Sequence, residues 1–233
     1  MKVYKLTDQN FMTYKDTKWG ENVTHITSGK DWLCSSGWLH YYHDPYLAAF
    51  FNPIHANIKK PVLWEAKGEG KHLNNHDVMG GCTKLTTLTI IPLPEFSLLQ
   101  RVEFAIRCNR EFCNNKEWKK WATNWLESND EFKYVSNDAI ADAFAAVGSN
   151  SPAANATEAV RRAYKGDATV AYSAAYSVVL ALNKFTNKPI NLKKIIKQVF
   201  PNYGVYCESL QTYRSQLSDT QRNSLGRKRY TRN

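Results

Sequence analysis

The pattern of the sequence changes at Pro92 and Pro94, and this change constrains the fold more than any other feature. Before it, short β-branched and aromatic runs alternate with turn residues, which is typical of strands. After it, apolar residues recur at helical spacing and alanine becomes frequent. The chain therefore predicts an α+β fold, with a small mixed sheet and short helices followed by a mainly helical C-terminal region.

The first part predicts four strands, at residues 3–6, 23–26, 62–66 and 84–91. Gly68 and Gly70 are expected to end the third strand, since glycine weakens a strand interior. A short helix is predicted over residues 46–51, because Pro45 suits a first helical position. Asn52 and Pro53 are expected to end that helix.

The second part predicts helices near residues 96–106, 116–126, 138–147, 153–164, 167–185 and 191–199. In the second of these, Trp118, Trp121 and Trp125 fall on one face. Tryptophans at this spacing favour a packed seam between helices over a surface that stacks on bases. The predicted organisation is an α+β module at residues 1–95, a helical region at 96–217 and a basic tail at 218–233.

Positive charge is concentrated at the C-terminal end of the sequence. The chain carries a formal charge of +10, and residues 184–233 contain eleven basic and two acidic residues. Such asymmetry indicates a polyanionic partner. The predicted contact residues are Lys193, Lys194, Lys197, Arg222, Arg227, Lys228, Arg229 and Arg232. Because no named nucleic-acid motif is present, a nucleic acid or nucleoprotein complex and an acidic protein surface both remain open as partners.

Apolar runs and cysteines exclude several classes of protein. No apolar run approaches the roughly 20 residues that span a bilayer, and the N-terminus lacks the apolar core of a secretory signal. The sequence thus predicts an intracellular protein without a membrane partner. Five scattered cysteines predict reduced, mostly buried thiols. Cys108 and Cys113 lack the C-x2-C spacing of a zinc site, so no metal is predicted.

Three segments of the first ninety residues carry a resemblance to a known family. They are Cys34-Ser35-Ser36-Gly37-Trp38-Leu39-His40 leading to Asp44-Pro45, then Val62-Leu63-Trp64-Glu65-Ala66-Lys67-Gly68, and Lys84 in a strand. Together with the opening Lys2-Val3-Tyr4-Lys5, they resemble an uncharacterised group of tailed-bacteriophage proteins. One extra residue between Gly37 and Pro45 departs from that group. The resemblance implies a bacteriophage origin and a location in the host cytoplasm, and it implies no particular function. The leading hypothesis is an accessory protein for host takeover or against host defence that acts by binding through its basic C-terminal surface.

The same layout is similar to ADP-ribosyltransferase folds, which hold NAD between a Gly-aromatic segment and a strand running into glycine. This similarity implies an NAD pocket formed by Lys5, Thr7, His40, Tyr42, His43 and Glu65. The first strand lacks the usual His or Arg, and residues 85–91 contain no acid. The leading hypothesis is therefore a binding protein without a cofactor, and the alternative is an NAD-dependent transferase. Alanine-rich helices are also compatible with a self-assembling, homo-oligomeric structural protein.

His72, His76 and Asp77 are expected in a polar loop between two strands. Two imidazoles and a carboxylate in a loop suit a small ligand or a metal. The neighbouring asparagines and glycines fit a solvated connection equally well. His40 and His43 near Asp44 similarly favour packing and helix capping over acid–base chemistry.

Overall fold

The computed structural model describes residues 1–128, 136–185, 190–210 and 212. Strands occupy the chain up to Ile91, and helices dominate after it. The predicted α+β class is therefore confirmed, with its helices in the C-terminal half.

The strands form one sheet of five and one small ribbon of two. They are β1 (Lys2–Thr7), β2 (Met12–Thr13), β3 (Thr17–Lys18), β4 (Thr24–Ile26), β5 (Leu39–Tyr42), β6 (Val62–Asn75) and β7 (Met79–Ile91). The sheet order is β4-β7-β5-β1-β6, and β7 also pairs with β6. All pairings between the described strands are antiparallel. Since β7 reaches both β5 and β6, the sheet curves and closes a ring of pairings.

Successive side chains of β1 point to opposite faces of the sheet, and both faces are buried. Tyr4 and Leu6 contact the helices, whereas Val3 joins a second cluster that contains Leu39 and Tyr41. The ribbon β2–β3 leads into Trp19, which covers this second face. Both faces of β1 are buried, so this short strand anchors the sheet.

The hairpin β6–β7 is longer than the sequence predicted. β6 continues through Gly68 and Gly70 to Asn75, and β7 begins at Met79 rather than at residue 84. The expected strand end was wrong because Gly68 pairs regularly with Leu85, and Gly70 lies at the irregularity of the β6–β7 pairing, where the register shifts between Glu69 and His72. Glycine there permits the positive φ of +81° at Gly70 and keeps the ladder intact beyond it.

The helices are α1 (Pro45–His55), α2 (Leu98–Phe112), α3 (Lys116–Glu127), α4 (Asn137–Val147), α5 (Pro152–Tyr164), α6 (Val170–Lys184) and α7 (Leu192–Val199). Residues 203–210 are also helical. Helix α1 extends past Pro53, against the predicted end at Asn52-Pro53. The Asn52 side chain bonds the backbone N–H and carbonyl of Ile58, which satisfies polar groups at the end of this helix.

One hydrophobic core joins the sheet to the helices. It contains Tyr4 and Leu63 from the strands and Phe104, Trp118 and Ala174 from the helices. The residues of this core therefore come from both sides of residue 95.

The tryptophan stripe of α3 lies against α5. Trp118 and Trp125 are 0% and 1% exposed. Their indole N–H groups donate to Thr157 Oγ1 at 2.9 Å and to Tyr164 Oη at 3.3 Å. The predicted seam between helices is confirmed for these two side chains, and Trp121 packs at its edge.

The five cysteines are free thiols. Cys82 and Cys108 are buried, Cys34 is exposed, and Cys113 and Cys207 are partly buried. Fewer thiols are therefore buried than the sequence suggested.

Candidate anion-binding groove

Helix α7 separates apolar and basic side chains onto opposite faces. Leu192, Ile195, Ile196 and Val199 are buried in the core, following the i, i+3, i+4 spacing of an amphipathic helix. The predicted contact residues Lys193, Lys194 and Lys197 are all exposed on the other face. The helix therefore presents three ammonium groups on a surface fixed by its own core packing.

A polar groove of about 360 Å³ lies between α7 and α2. Six polar side chains line it: Arg107, Arg110, Glu111, Asn191, Lys194 and Gln198. Asn191 also caps α7, because its Oδ1 accepts a hydrogen bond from the N–H of Lys194 at 2.9 Å. The cap fixes the start of α7 beside the groove.

The charges of the groove are only partly neutralised. Arg107 donates to Glu103 Oε1 from Nε at 2.9 Å and from Nη2 at 2.8 Å. Among the described residues, the side chain of Arg110 donates to the hydroxyl of Thr123, at 3.4 Å. Within the described part of the chain, neither Arg110 nor Lys194 forms an ion pair. These two cations remain available for an external anion, with the carboxylate of Glu111 on the same wall.

The opposite edge of α7 faces a buried carboxylate. Asp44 is 3% exposed, caps α1 through the N–H of Tyr46 at 2.8 Å, and accepts the hydroxyl of Tyr203 at 2.6 Å. Burial raises the pKa of Asp44, while the hydrogen bond from Tyr203 and the charge of Lys193 oppose the rise. Lys193 and Lys194 are adjacent in sequence, but the charge of Lys193 acts on the buried Asp44, whereas Lys194 lines the groove.

Arg107 and Arg110 were missed by the sequence reasoning, which assigned the basic surface to the C-terminal end alone. Their charges lie at positions i and i+3 of α2, so they share one face of that helix. The spacing of three residues within one helix was the sequence signal for a shared basic face. The remaining predicted contacts, Arg222, Arg227, Lys228, Arg229 and Arg232, lie outside the described residues.

The residues of the predicted NAD pocket do not meet in one place. Lys5 and Thr7 lie on the face of β1 covered by Trp19, because Thr7 accepts the Trp64 indole N–H at 3.1 Å and Lys5 Nζ lies 5.2 Å from the Trp19 ring. Tyr42 lies in the core on the helix side, and Glu65 pairs across from Tyr4 on that same side. The strand alternation therefore separates these two groups by the thickness of the sheet.

Lys5 is a buried amine, 9% exposed. Its Nζ donates to the backbone carbonyl of His40 at 2.8 Å. Burial lowers the pKa of Lys5 to about 8, since the charged form loses its hydration. The contact of Lys5 is thus with the backbone of His40, and the imidazole of His40 bonds the Leu33 carbonyl instead.

The predicted loop site is a strand and a tight turn. His72 belongs to β6, so the expectation that it lies in a loop was wrong. His76 and Asp77 occupy a two-residue turn with φ of +54° and +55°, closed by the bond from Val78 N–H to the Asn75 carbonyl at 3.1 Å.

The side chains of this hairpin bond one another rather than converge on an open site. Tyr41 Oη lies 3.2 Å from His72 Nδ1. His43 Nε2 lies 3.1 Å from Asn74 Oδ1, and Asn74 donates to Asp77 Oδ1 at 2.5 Å. Among the described residues, no group of three or more His, Cys, Asp and Glu side chains is arranged to hold a metal ion.

None of the described helices has the length and apolar composition required to cross a membrane. Comparison of the chain with models of protein families, with characterised proteins and with solved structures finds no match. The arguments for function therefore rest on the groove and on the charge distribution.

Proposed function

We propose that this protein is a non-enzymatic accessory protein that binds a nucleic acid, free or within a nucleoprotein complex, through the groove between α2 and α7 and the basic face of α7. The observation that carries the proposal is a pair of cations, Arg110 and Lys194, that share one concave polar site and have no carboxylate partner among the described residues. Such cations attract phosphate groups and release condensed counterions when they bind them.

The composition of the groove suits phosphate better than a carboxylate-rich protein surface. A guanidinium offers a fork of N–H donors, while an ammonium acts as a point charge. The amides of Asn191 and Gln198 add neutral donors beside them. Neutral donors next to two cations match the oxygens of a phosphodiester, which are close together and carry one charge.

The basic surface extends beyond the groove. Lys197 is exposed one turn after Lys193 on the same helix. A strand of nucleic acid bound at Arg110 and Lys194 would therefore meet the further cations of α7, which favours a polymer over a single phosphate. The sequence from Arg222 onward adds five more basic residues to the charge of the full chain.

The alternatives have less support. The separation of Lys5 and Thr7 from Tyr42 and Glu65 gives the NAD pocket less support than the groove. No described contact favours self-assembly. The bacteriophage origin and the host cytoplasm follow from the sequence resemblance and stay predictions.

The test is fluorescence anisotropy with labelled 20-nucleotide single strands and duplexes, over a series of salt concentrations. The double variant Arg110→Ala/Lys194→Ala should weaken binding and make the slope of log K against log salt shallower by about 1.4 for single strands and about 1.8 for duplexes, as expected for two lost phosphate contacts. The matched control is Lys59→Ala/Lys60→Ala, which removes the same charge from two exposed residues elsewhere.

Three outcomes would contradict the proposal. Equal losses in the two double variants would assign binding to net charge alone. Preference for polyglutamate over nucleic acid would assign the surface to an acidic protein. Affinity that does not depend on salt would exclude phosphate contacts altogether.

A further inference from the structure

A second cleft, of about 350 Å³, lies where the C-terminal ends of α2, α4 and α6 meet the start of α5. Its walls include Phe112, Cys113, Ala146, Val147, Lys184 and Phe185. This volume is at the lower end of the range for small-molecule sites. The cleft shares no lining residue with the groove between α2 and α7.

The cleft contains a buried polar acceptor. Asn109 is 1% exposed, and its Nδ2 donates to the Ala105 carbonyl at 2.9 Å and to Ser177 Oγ at 3.2 Å. No described residue donates to its Oδ1. Asn109 lines the cleft, so a ligand N–H or O–H at this point can donate to this oxygen.

Aromatic rings form the apolar wall. Phe112 and Phe185 stack with their centroids 5.3 Å apart and their planes 8° from parallel. Phe112 is buried, whereas Phe185 is partly exposed beside the cleft. A flat aromatic ligand can stack against such a ring, and an aliphatic ligand gains nothing from its geometry.

A cation stands at the rim. Lys184 is exposed, and its Nζ lies 5.8 Å from the centroid of Phe185. Within the described residues Lys184 forms no ion pair. A negative group attached to a ring that lies against Phe185 would therefore reach this ammonium.

We propose that this cleft binds a planar heteroaromatic anion whose ring carries an N–H donor, the chemistry of a nucleoside monophosphate. The ring N–H bonds Asn109 Oδ1, the ring packs against Phe185, and the phosphate meets Lys184. Free phosphate would use only Lys184, since most of the wall is apolar. This site is independent of the polymer-binding function proposed above.

Cys113 supplies a direct probe of occupancy, because its thiol lies in the wall and is partly exposed. The full-length protein is treated with N-ethylmaleimide, with and without uridine or guanosine monophosphate, and alkylation of each cysteine is followed by mass spectrometry. Ligand should slow alkylation of Cys113 in proportion to occupancy. The exposed Cys34 is the internal control and should react at an unchanged rate.

Two variants and one modified ligand test the individual contacts. Lys184→Met should raise the ligand concentration needed for protection about tenfold, as expected for one charge-assisted hydrogen bond. Ala146→Phe should fill the cleft and abolish protection. Uridine monophosphate methylated at N3 lacks the ring donor and should protect less than the parent nucleotide.

The double variant Arg110→Ala/Lys194→Ala should leave protection of Cys113 unchanged, which separates this site from the groove. The proposal is overturned if neither nucleotide protects Cys113. It is also overturned if ribose 5-phosphate protects equally well, or if protection persists in both Lys184→Met and Ala146→Phe.

Discussion

The hydroxyl of Tyr203 donates a 2.6 Å hydrogen bond to Oδ2 of Asp44, a buried carboxylate 159 residues earlier in the chain. The other oxygen of Asp44 caps α1. This contact therefore links the start of α1, which lies between β5 and β6, to the segment that follows α7. It also helps to hold α7, and with it one wall of the groove, against the rest of the fold.

Replacing Tyr203 by phenylalanine should lower the free energy of unfolding by about 2 kcal/mol, because one oxygen of a buried carboxylate loses its donor. Urea unfolding followed by circular dichroism measures the change. The control is Tyr206→Phe, whose hydroxyl donates to the Pro92 carbonyl at an exposed site. A loss for Tyr203→Phe no larger than for this control would contradict the argument.

Replacing Lys5 by methionine should stabilise the protein at pH 7. The pKa of Lys5 is lowered to about 8 in the fold, from an ordinary value of 10.5. Between these values the unfolded chain binds more protons than the folded one, so the stability of the wild type rises with pH there. Below pH 8 the cost of burying the charge is fully present.

The stability difference between Lys5→Met and the wild type should thus be largest below pH 8 and shrink as the pH approaches 10.5. Unfolding curves from pH 6 to 10.5 give this difference directly. A difference that is constant over the whole range would show that the amine is not buried in its charged form.

Replacing His55 by phenylalanine should make the fold less sensitive to acid. The ring of His55 stacks on Phe51 at 5.2 Å, and its buried Nδ1 has no hydrogen-bond partner in the part of the chain that the structure describes. Burial lowers the pKa of His55 to about 4, from 6.5. The unfolded chain binds the proton first, so the wild type loses stability as the pH falls from 6.5 through 4.

Thermal unfolding between pH 3.5 and 7.5 tests this effect. The melting temperature of His55→Phe should fall less steeply below pH 6.5 than that of the wild type. A control is His25→Phe, since His25 is partly exposed on a strand at the edge of the sheet. Parallel curves for wild type and His55→Phe would refute the prediction.

Local patterns were sufficient for much of this fold. The tryptophan spacing of α3 depends on residues three and four apart, and the predicted seam is confirmed for Trp118 and Trp125. The helix predicted over residues 191–199 is present as α7, and its three lysines were predicted from the concentration of positive charge. These features depend on short-range sequence patterns, which a single sequence contains.

Other features depend on partners far away in sequence. Gly68 and Gly70 predicted the end of a strand, but the pairing of β6 with β7 continues on both sides of them. Two contacts join segments that are distant in sequence: the hydrogen bond from Tyr203 to Asp44 and the packing of α7 against α2. Neither contact can be predicted from the spacing of residues within one segment. The groove is formed by that packing, and the sequence therefore indicated only the lysines on one wall.

Replacing Gly80 by alanine should destabilise the hairpin β6–β7. A Cβ atom at this position would lie 2.7 Å from the Leu73 carbonyl oxygen and 2.6 Å from the ring of Tyr41. The backbone contact leaves no flexible group to move aside, so overpacking of about 1–3 kcal/mol is expected. Urea unfolding measures the loss.

The matched control is Gly204→Ala, in the helical residues 203–210. A Cβ there meets no atom within 4 Å, so alanine should be neutral or stabilise by about 0.5–1 kcal/mol. Equal effects of the two glycine substitutions would show that the contact around Gly80 is not tight.

Single substitutions of adjacent lysines should separate the groove from general charge. Lys194 lines the groove, whereas the charge of Lys193 acts on Asp44. Lys194→Ala should weaken binding of a 20-nucleotide strand by about three- to tenfold, since one phosphate contact is lost. Lys193→Ala removes the same charge one residue away and should weaken it less. Because both variants have the same net charge, equal losses of affinity in anisotropy titrations would mean that the groove geometry contributes nothing.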